Sequence, residues 1–255
     1  MTSSRKNILV LKNYTITDHT QWYDDRTNEK NLVDNYAEME KICIDSAKEN
    51  IVDLDDIHVF RGEASNIRDV FKINFFEIYH LWKEGHNLLY ADLDVVFLNP
   101  CSMFDKTYLF SMYNLTDPPT TSDSHYNVDF QFYFNCGMRY YPHKMLQEVW
   151  DIGIEMFENF NTDRWDAEQI IYNSMMWWQS PHMGDFWNPL KAYQMLNSPL
   201  IPGGQQANKQ FNAGYDIKEA DAVHIHGSRG SSDRLEIMKR LQERTLPEVE
   251  ETLFL

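Results

Sequence analysis

Two carboxylates, Asp92 and Asp94, interrupt the apolar run Leu88–Leu98 and are separated only by Leu93. A carboxylate is costly to bury unless it is paired with a cation or bound to a metal. Because alternate residues of an extended segment point to the same side, the two aspartates either share a face or lie where the strand ends. Like charges this close repel each other unless a divalent cation lies between them. The pair therefore predicts a metal site at the end of a core strand.

A second candidate lies near the end of the chain, in the predicted strand Ala222–His226. Strand periodicity places His224 and His226 on one face, and the glycine-rich turn Gly227-Ser228-Arg229-Gly230 follows. An imidazole can complete a Mn²⁺ shell, while backbone amides and an arginine can hold phosphate oxygens. A histidine hydrogen-bonded into the fold is the alternative interpretation. Two histidines directly before such a turn favour a functional site.

Further polar groups that could line a binding site are spread over three segments. Asn135-Cys136-Gly137 predicts a turn at which the backbone approaches another group closely, since glycine permits such an approach. Asp166, Glu168 and Gln169 lie at the start of a predicted helix. The helix dipole also favours carboxylates there, so capping explains these acids as well as a function does. Lys72 is either a solvated helix residue or a phosphate partner.

The first hundred residues predict the framework that must position these groups. Apolar spacing alternates between strands and helices, in the order Lys6–Lys12 (strand), Glu29–Asn50 (helix), Ile57–Phe60 (strand), Ile67–Glu84 (helix) and Leu88–Leu98 (strand). This alternation is typical of an α/β fold with a mostly parallel central sheet flanked by helices. In such sheets ligands gather at the carboxyl ends of the strands, which is where Asp92 and Asp94 are expected.

The remainder of the chain is less regular. The predicted strands are Tyr108–Tyr113, Val128–Phe134, Met138–Tyr141 and Ala222–His226, and the predicted helices are Lys144–Phe160, Trp165–Trp178 and Asp233–Arg244. Asn13–Asn28 is predicted to be a loop, and Ser180–Phe211 an irregular surface that could bind an acceptor. No internal repeat or linker divides the chain, so one domain over residues 1–255 is the simplest interpretation.

Composition excludes several classes of protein. The net charge of −16 argues against nucleic-acid binding, which requires a basic patch. Three scattered cysteines form no disulfide framework and fit a reducing compartment. No apolar stretch approaches the roughly 18–20 residues of a membrane span, and no signal-peptide core is present. These features predict a soluble cytoplasmic protein.

Four short segments, taken in order, resemble motifs of the GT-A fold glycosyltransferases that carry a DXD motif. Asp92-Leu93-Asp94 matches the DXD segment, and Phe134–Met138 resembles the later F-N-x-G segment. Glu168–Asn173 is similar to the D-Q-x-x-x-N segment, with glutamate in place of the usual aspartate. His224–Gly227 resembles the H-x-x-G segment, which supplies a third metal ligand. The order and spacing of all four agree with the family.

The resemblance implies a Rossmann-like nucleotide-diphospho-sugar transferase fold. A nucleotide-sugar donor would bind across the N-terminal sheet, with Mn²⁺ or Mg²⁺ holding its diphosphate. The ion would be held by Asp92, Asp94 and His224, with His226 as the alternative ligand. The nucleotide-binding half would span about residues 1–100, and an acceptor-side half with a C-terminal elaboration about residues 101–255.

The resemblance also implies roles for residues around the ion. Donor contacts are expected from Lys72, Asp92, Leu93, Asn135, Gly137, Gln169, Gly227 and Arg229. Asp166 or Glu168 would be the catalytic carboxylate, acting as a base in an inverting reaction or stabilising an oxocarbenium-like centre in a retaining one. The expected partners are the donor and a glycan, lipid or protein acceptor.

Two other functions fit parts of the pattern. A phosphohydrolase or phosphotransferase of the haloacid-dehalogenase type also places Asp-x-Asp after an apolar strand. That strand would be the first of the fold, whereas about ninety residues precede Asp92 here. The third interpretation is a sugar-binding protein of GT-A fold without catalytic activity, since Trp177, Trp178 and Trp187 could stack on sugars.

Overall fold

A computed structural model of the chain describes residues 4–17, 32–104, 110–115, 133–159, 167–178, 192–196, 221–226 and 231–244. The strands are β1 (Asn7–Ile16), β2 (Asp56–Ala64), β3 (Asn87–Ala91), β4 (Val95–Phe97), β5 (Phe110–Leu115), β6 (Tyr133–Tyr141), β7 (Ala192–Leu196) and β8 (Ala222–His226). The helices are α1 (Leu32–Asn50), α2 (Ile67–Lys83), α3 (Gln147–Asn159), α4 (Ala167–Trp178) and α5 (Ser231–Gln242). None of the helices in these segments has the length and apolarity needed to cross a membrane.

The main sheet has the strand order β2-β1-β3-β6-β5. β1 pairs in parallel with β2 and β3, while β6 runs antiparallel to both β3 and β5. Four of the five strands therefore point the same way, and β6 is reversed. The predicted α/β class with a mostly parallel central sheet is confirmed.

The core forms on both faces of this sheet because successive side chains of β1 point to opposite sides. Leu9 and Leu11 pack with residues of α1, β4, β8 and α5. Ile8 and Val10 pack on the other face, with residues of α2, α3 and α4. Helices thus cover both faces of the parallel strands, as buried β1 and β3 require.

Helix α2 shows how the local sequence sets the bounds of an element. The Asn66 side chain accepts a hydrogen bond from the Asp69 amide at 3.0 Å and caps the first turn. Phe75 and Ile78 are buried on the face that meets the sheet. Gly85, with φ of 93°, ends the helix in the left-handed region that glycine tolerates. The predicted helix over this segment is confirmed.

A second, smaller sheet has the order β4-β8-β7. β4 is antiparallel to β8, and β7 is parallel to it. β3 belongs to the main sheet and β4 to the small one, so the three residues Asp92–Asp94 carry the chain from one sheet to the other. The backbone closes this turn with a 3.2 Å hydrogen bond from the Val95 amide to the Asp92 carbonyl.

Four predictions about elements were wrong. Leu88–Leu98 is two strands in two sheets instead of one, because the chain turns at the aspartates. β6 runs through Asn135–Gly137 without the predicted break, since Asn135 still pairs with Tyr113 of β5 beyond a shift in register. β1 extends to Ile16, into the predicted loop, because β2 pairs with it along that length. Ser180–Phe211 contains β7, which pairs with β8.

Candidate functional site

Asp92, Asp94 and His224 lie together at the carboxyl end of β3. One ligand atom from each residue lies within 4.8 Å of the other two. His224 Nε2 is 3.2 Å from Asp94 Oδ1 and 3.8 Å from Asp92 Oδ2. The pairing of Val95 with His224 fixes this approach, together with the 2.9 Å hydrogen bond from the Ile225 amide to the Asp94 carbonyl. We call these three residues the triad.

Each aspartate of the triad has one oxygen fixed by a neighbour and the other directed at His224. The Tyr90 hydroxyl donates to Asp92 Oδ1 at 2.5 Å, and Arg234 Nη1 donates to Asp94 Oδ2 at 2.9 Å. Asp94 Oδ1 is buried and faces His224 Nε2 at 3.2 Å. Outer partners of this kind orient ligands around a metal ion.

The donor set of the triad fits a hard divalent ion. Two carboxylate oxygens and one imidazole nitrogen suit Mn²⁺ or Mg²⁺, which usually complete their shells with water or substrate phosphate. The Asp92 side chain is 33% exposed, whereas Asp94 and His224 are buried. An ion held by these atoms would therefore remain accessible to a ligand on the Asp92 side.

The charges of the triad and of its neighbours shift the pKa of each of its three members. Burial alone would raise the pKa of Asp94, but the charges and hydrogen bonds of His224 and Arg234 hold it well below its usual value. Burial lowers the pKa of His224, and the carboxylates of Asp94 and Asp92 outweigh that effect and raise it. Burial raises the pKa of Asp92, with Asp94 adding to the effect and Lys12 opposing it. The Asp94 carboxylate is thus ionised and available as a ligand.

Gly137 lies against the ring of His224. A Cβ atom added at position 137 would lie 2.2 Å from Cε1 and 2.8 Å from Nε2 of His224, well inside van der Waals contact. The Gly137 carbonyl also accepts a 2.8 Å hydrogen bond from the Asp92 amide. Glycine is required here because the imidazole occupies the space that a side chain would fill.

Gly137→Ala is expected to displace the imidazole and weaken Mn²⁺ binding by roughly 10–100-fold, the usual cost of disturbing the support of a metal ligand. Isothermal titration with Mn²⁺ measures the change. Gly62→Ala is the matched control, because among the described residues its added Cβ would meet the Tyr14 ring alone, at 3.3 Å. Unchanged Mn²⁺ affinity in a folded Gly137→Ala protein would show that the contact with His224 does not position the ligand.

A buried ion-pair network adjoins the triad and is centred on Glu168. Lys12 Nζ lies 3.1 Å from Glu168 Oε2 and 3.8 Å from Asp92 Oδ1, and Arg139 Nη1 donates to Glu168 Oε1 at 2.9 Å. Burial alone would raise the pKa of Glu168, but Lys12 and Arg139 hold it below its usual value. The carboxylate is therefore ionised although it is buried.

Arg139 is held in place by two aromatic rings. It is fully buried, and its guanidinium carbon lies 4.0 Å from the ring centre of Tyr90 and 3.6 Å from that of Tyr172. Stacking of this kind suits the planar guanidinium. Since Tyr90 also donates to Asp92, Arg139 contacts both the network and a residue that supports the triad.

The structure describes some of the other predicted site residues. Leu93 is buried in the core, and Lys72 is exposed on α2. The structure describes the backbones of Asn135, Gln169 and His226, in β6, α4 and β8, but not their side chains. Asp166, Gly227 and Arg229 lie outside the described residues.

Sequence reasoning missed Lys12, Arg139 and Arg234. Lys12 carried a detectable signal, because it follows the apolar residues at the start of β1, a parallel neighbour of β3. Arg139 lies among the buried residues Met138, Tyr140 and Tyr141 and carried the same signal, a charge within an apolar strand. Arg234 lies in an amphipathic helix, where an arginine is common, so its sequence context carried no signal of a functional role.

Comparison with known proteins gives structural matches alone; no protein-family model and no curated protein matches the chain. One similar structure is a glycosyltransferase involved in the glycosylation of the major capsid of PBCV-1. It has 10% identity and a TM-score of 0.51, over 92% of this chain and 98% of that chain. The galactosyltransferase LgtC, in complex with donor and acceptor sugar analogs, has 14% identity and a TM-score of 0.50, over 96% and 98%.

An active-site mutant of LgtC matches similarly, with 14% identity and a TM-score of 0.50 over 97% of this chain and 100% of that chain. These matches cover nearly the full length of both chains. The chain therefore has the GT-A fold of these glycosyltransferases.

Proposed function

We propose that the protein is a metal-dependent glycosyltransferase, which moves a sugar from a nucleotide-diphosphate donor to a hydroxyl group of a glycan, lipid or protein. The observation that carries the proposal is the convergence of Asp92, Asp94 and His224 at the carboxyl end of β3. Ligands of α/β sheets bind at this edge. The GT-A fold, shared with glycosyltransferases, supports the same assignment.

The triad would hold Mn²⁺ or Mg²⁺, which when bound supplies positive charge to a diphosphate leaving group. Tyr90 and Arg234 each hold one oxygen of a carboxylate, which keeps the other oxygen directed at His224. Such preorganised groups lower the cost of stabilising charge that develops as the glycosidic bond breaks. The backbone of Gly137 also lies beside the triad, which supports its proposed place in the donor site.

Two carboxylates, Asp166 and Glu168, are proposed to be catalytic, and Glu168 is the one that lies within the described residues. Its lowered pKa makes it a weak base, because Lys12 and Arg139 stabilise the ionised form. An ionised, fixed carboxylate is better suited to stabilising positive charge on the donor sugar than to removing a proton. Asp166 remains the proposed base if the reaction inverts the configuration of the sugar.

A haloacid-dehalogenase type of phosphohydrolase is not favoured. Its aspartate pair would follow the first strand, whereas Asp92 and Asp94 follow β3, the third strand of the chain. The solved structures that share the fold are glycosyltransferases. The other alternative is a GT-A protein that binds sugars without catalysis. The experiment below distinguishes it from an active glycosyltransferase.

The test is incubation of the protein with Mn²⁺ and a panel of nucleotide sugars, with donor hydrolysis and thermal unfolding as the two measurements. One donor is expected to raise the Tm saturably and to be slowly hydrolysed. Both effects should be lost with EDTA and restored by excess Mn²⁺, because the ion links the diphosphate to the triad. Phosphate release from simple sugar phosphates would instead support a phosphohydrolase. Binding of a donor without turnover on any acceptor would support the non-catalytic interpretation.

A further inference from the structure

Lys12 lies in β1 at the point where this strand separates from β3. The pairing between β1 and β3 ends at Val10 and Tyr90. Lys12 lies two residues further along β1, and Asp92 lies two residues after Tyr90, just past the end of β3. Beyond Tyr90 the β3 chain turns toward the small sheet, whereas β1 continues beside β2. The Lys12 side chain therefore lies beside the carboxylates at the point where the two strands separate.

The surroundings of Lys12 hold a cation in a defined position. Its Nζ lies 3.1 Å from Glu168 Oε2 and 3.8 Å from Asp92 Oδ1, so it hydrogen-bonds the glutamate and is only in ionic contact with the aspartate. The same nitrogen lies 4.9 Å from the ring centre of Phe71 and 5.1 Å from that of Tyr90. The electron-rich faces of aromatic rings attract a cation.

Lys12 also retains donor capacity. An ammonium group has three N–H donors, and among the described residues its hydrogen bonds go to the Glu168 carboxylate alone. The side chain is 15% exposed, so a ligand can reach it. A cation with free donors next to a metal-binding triad is suited to an anionic oxygen of the same ligand.

We propose that Lys12 binds the diphosphate of the donor and also competes with the divalent ion for Asp92. The proposal rests on the proposed function for its ligand. Lys12 and a divalent ion repel each other while both are attracted to Asp92, so the lysine weakens binding of the ion alone. Once the negative diphosphate is present, the same lysine stabilises the complex. The chain then binds metal and donor together more readily than metal by itself.

The sequence predicted Lys72 as the phosphate contact, whereas this proposal assigns that contact to Lys12. Lys72 is exposed on α2, where water screens its charge and its flexible side chain loses entropy on binding. Lys12 is already fixed by Glu168 and two rings, so little conformational entropy is lost when it contacts a ligand. A preorganised cation beside the triad is the stronger candidate.

A purely structural role for Lys12 predicts a different result. If the lysine only balances the charges of Glu168 and Asp92, its removal makes the site more negative and strengthens binding of the ion. At saturating Mn²⁺, a diphosphate that binds only through the ion then keeps its affinity. The proposal requires instead that the affinities for the ion and for the diphosphate change in opposite directions.

The experiment compares Lys12→Met with the wild-type protein by isothermal titration. Mn²⁺ alone is titrated first, followed by UDP, GDP, ADP, CDP and dTDP at saturating Mn²⁺. We expect Lys12→Met to bind Mn²⁺ about three- to tenfold more tightly, because a like charge is removed. The diphosphate that binds the wild type best should lose roughly tenfold or more in affinity, the usual effect of a lost charge-assisted hydrogen bond.

Three further variants make the comparison specific. Lys6→Met removes the same charge from an exposed lysine paired with Asp56, and it should change neither affinity by more than about twofold. Lys12→Arg keeps the charge and should recover part of both effects. Lys72→Met is measured alongside, and a larger loss of diphosphate affinity there than in Lys12→Met would overturn the assignment.

Other outcomes are equally decisive. Unchanged or weaker Mn²⁺ binding by a folded Lys12→Met protein would overturn the competition with the ion. Tighter Mn²⁺ binding together with unchanged or tighter diphosphate binding would overturn the phosphate contact, and charge balance would then be the sole role of Lys12. If the wild type binds Mn²⁺ but none of the diphosphates, the proposed function and the phosphate contact fail, while the Mn²⁺ titration still decides the competition.

Discussion

Asp94→Asn is expected to weaken Mn²⁺ binding by about 100-fold or more and to abolish metal-dependent protection by a donor. Disturbing outer partners of a metal site already costs roughly 10–100-fold, and this change removes the charge of a ligand itself. Asparagine keeps the shape of the side chain and can still accept the hydrogen bond from Arg234. The fold should therefore persist, and titration of the variant with Mn²⁺ measures the loss.

The control for Asp94→Asn removes one negative charge elsewhere. The Asp45 side chain is 42% exposed and pairs with Lys41 one helical turn away on α1, so Asp45→Asn should leave Mn²⁺ affinity within about twofold of the wild type. Equal losses in both variants would mean that the net charge of the chain, and not the triad, attracts the ion. Wild-type affinity in Asp94→Asn would remove Asp94 from the metal site.

Arg139→Met is expected to lower the free energy of unfolding by about 3–5 kcal/mol, the usual cost of leaving one partner of a buried ion pair. The fully buried guanidinium donates to Glu168 and stacks between Tyr90 and Tyr172. Without it, Glu168 retains only Lys12 as a cationic partner within the described network. Urea denaturation of the variant and the wild type gives the difference.

The double variant Arg139→Met/Glu168→Gln separates stability from chemistry. It removes both charges, so much of the lost stability should return, since buried ion pairs are often replaceable without net cost. Donor turnover should not return, because the fixed carboxylate is gone. Arg240→Met is the control, since Arg240 pairs with Glu236 at the helix surface and should cost less than about 1 kcal/mol. An Arg139→Met protein as stable as the wild type would contradict the role of this pair.

Much of the fold could be predicted from the spacing of apolar residues. The bounds of β8 were predicted without error, and α2 differed only at its last residue, because periodicity and end signals agree there. The break between β3 and β4 was missed, since Val95–Phe97 continue the apolar run on the far side of the turn. A change of sheet is set by pairing with β8, more than a hundred residues later, and leaves no local pattern.

The site was predictable where residue type alone suggests a ligand. Asp92, Asp94 and His224 were grouped from type, strand position and resemblance, and the structure brings them together. Lys12 lies 156 residues from Glu168 in sequence, and Arg234 lies 140 from Asp94. A lysine or arginine can pair with any of many acids, so sequence spacing does not identify its partner. The partner is identified only in the folded structure.

The position of the triad at the junction of the two sheets has a consequence for how the site forms. Asp92 follows a strand of the main sheet, while His224 belongs to the small sheet and reaches Asp94 only because β8 pairs with β4. Local unfolding of the small sheet would separate the imidazole from the carboxylates while the main sheet stays intact. Affinity for the ion is thus thermodynamically coupled to the closing of β8 onto β4. A bound ion would in turn act as a cross-link between elements that are far apart in the chain.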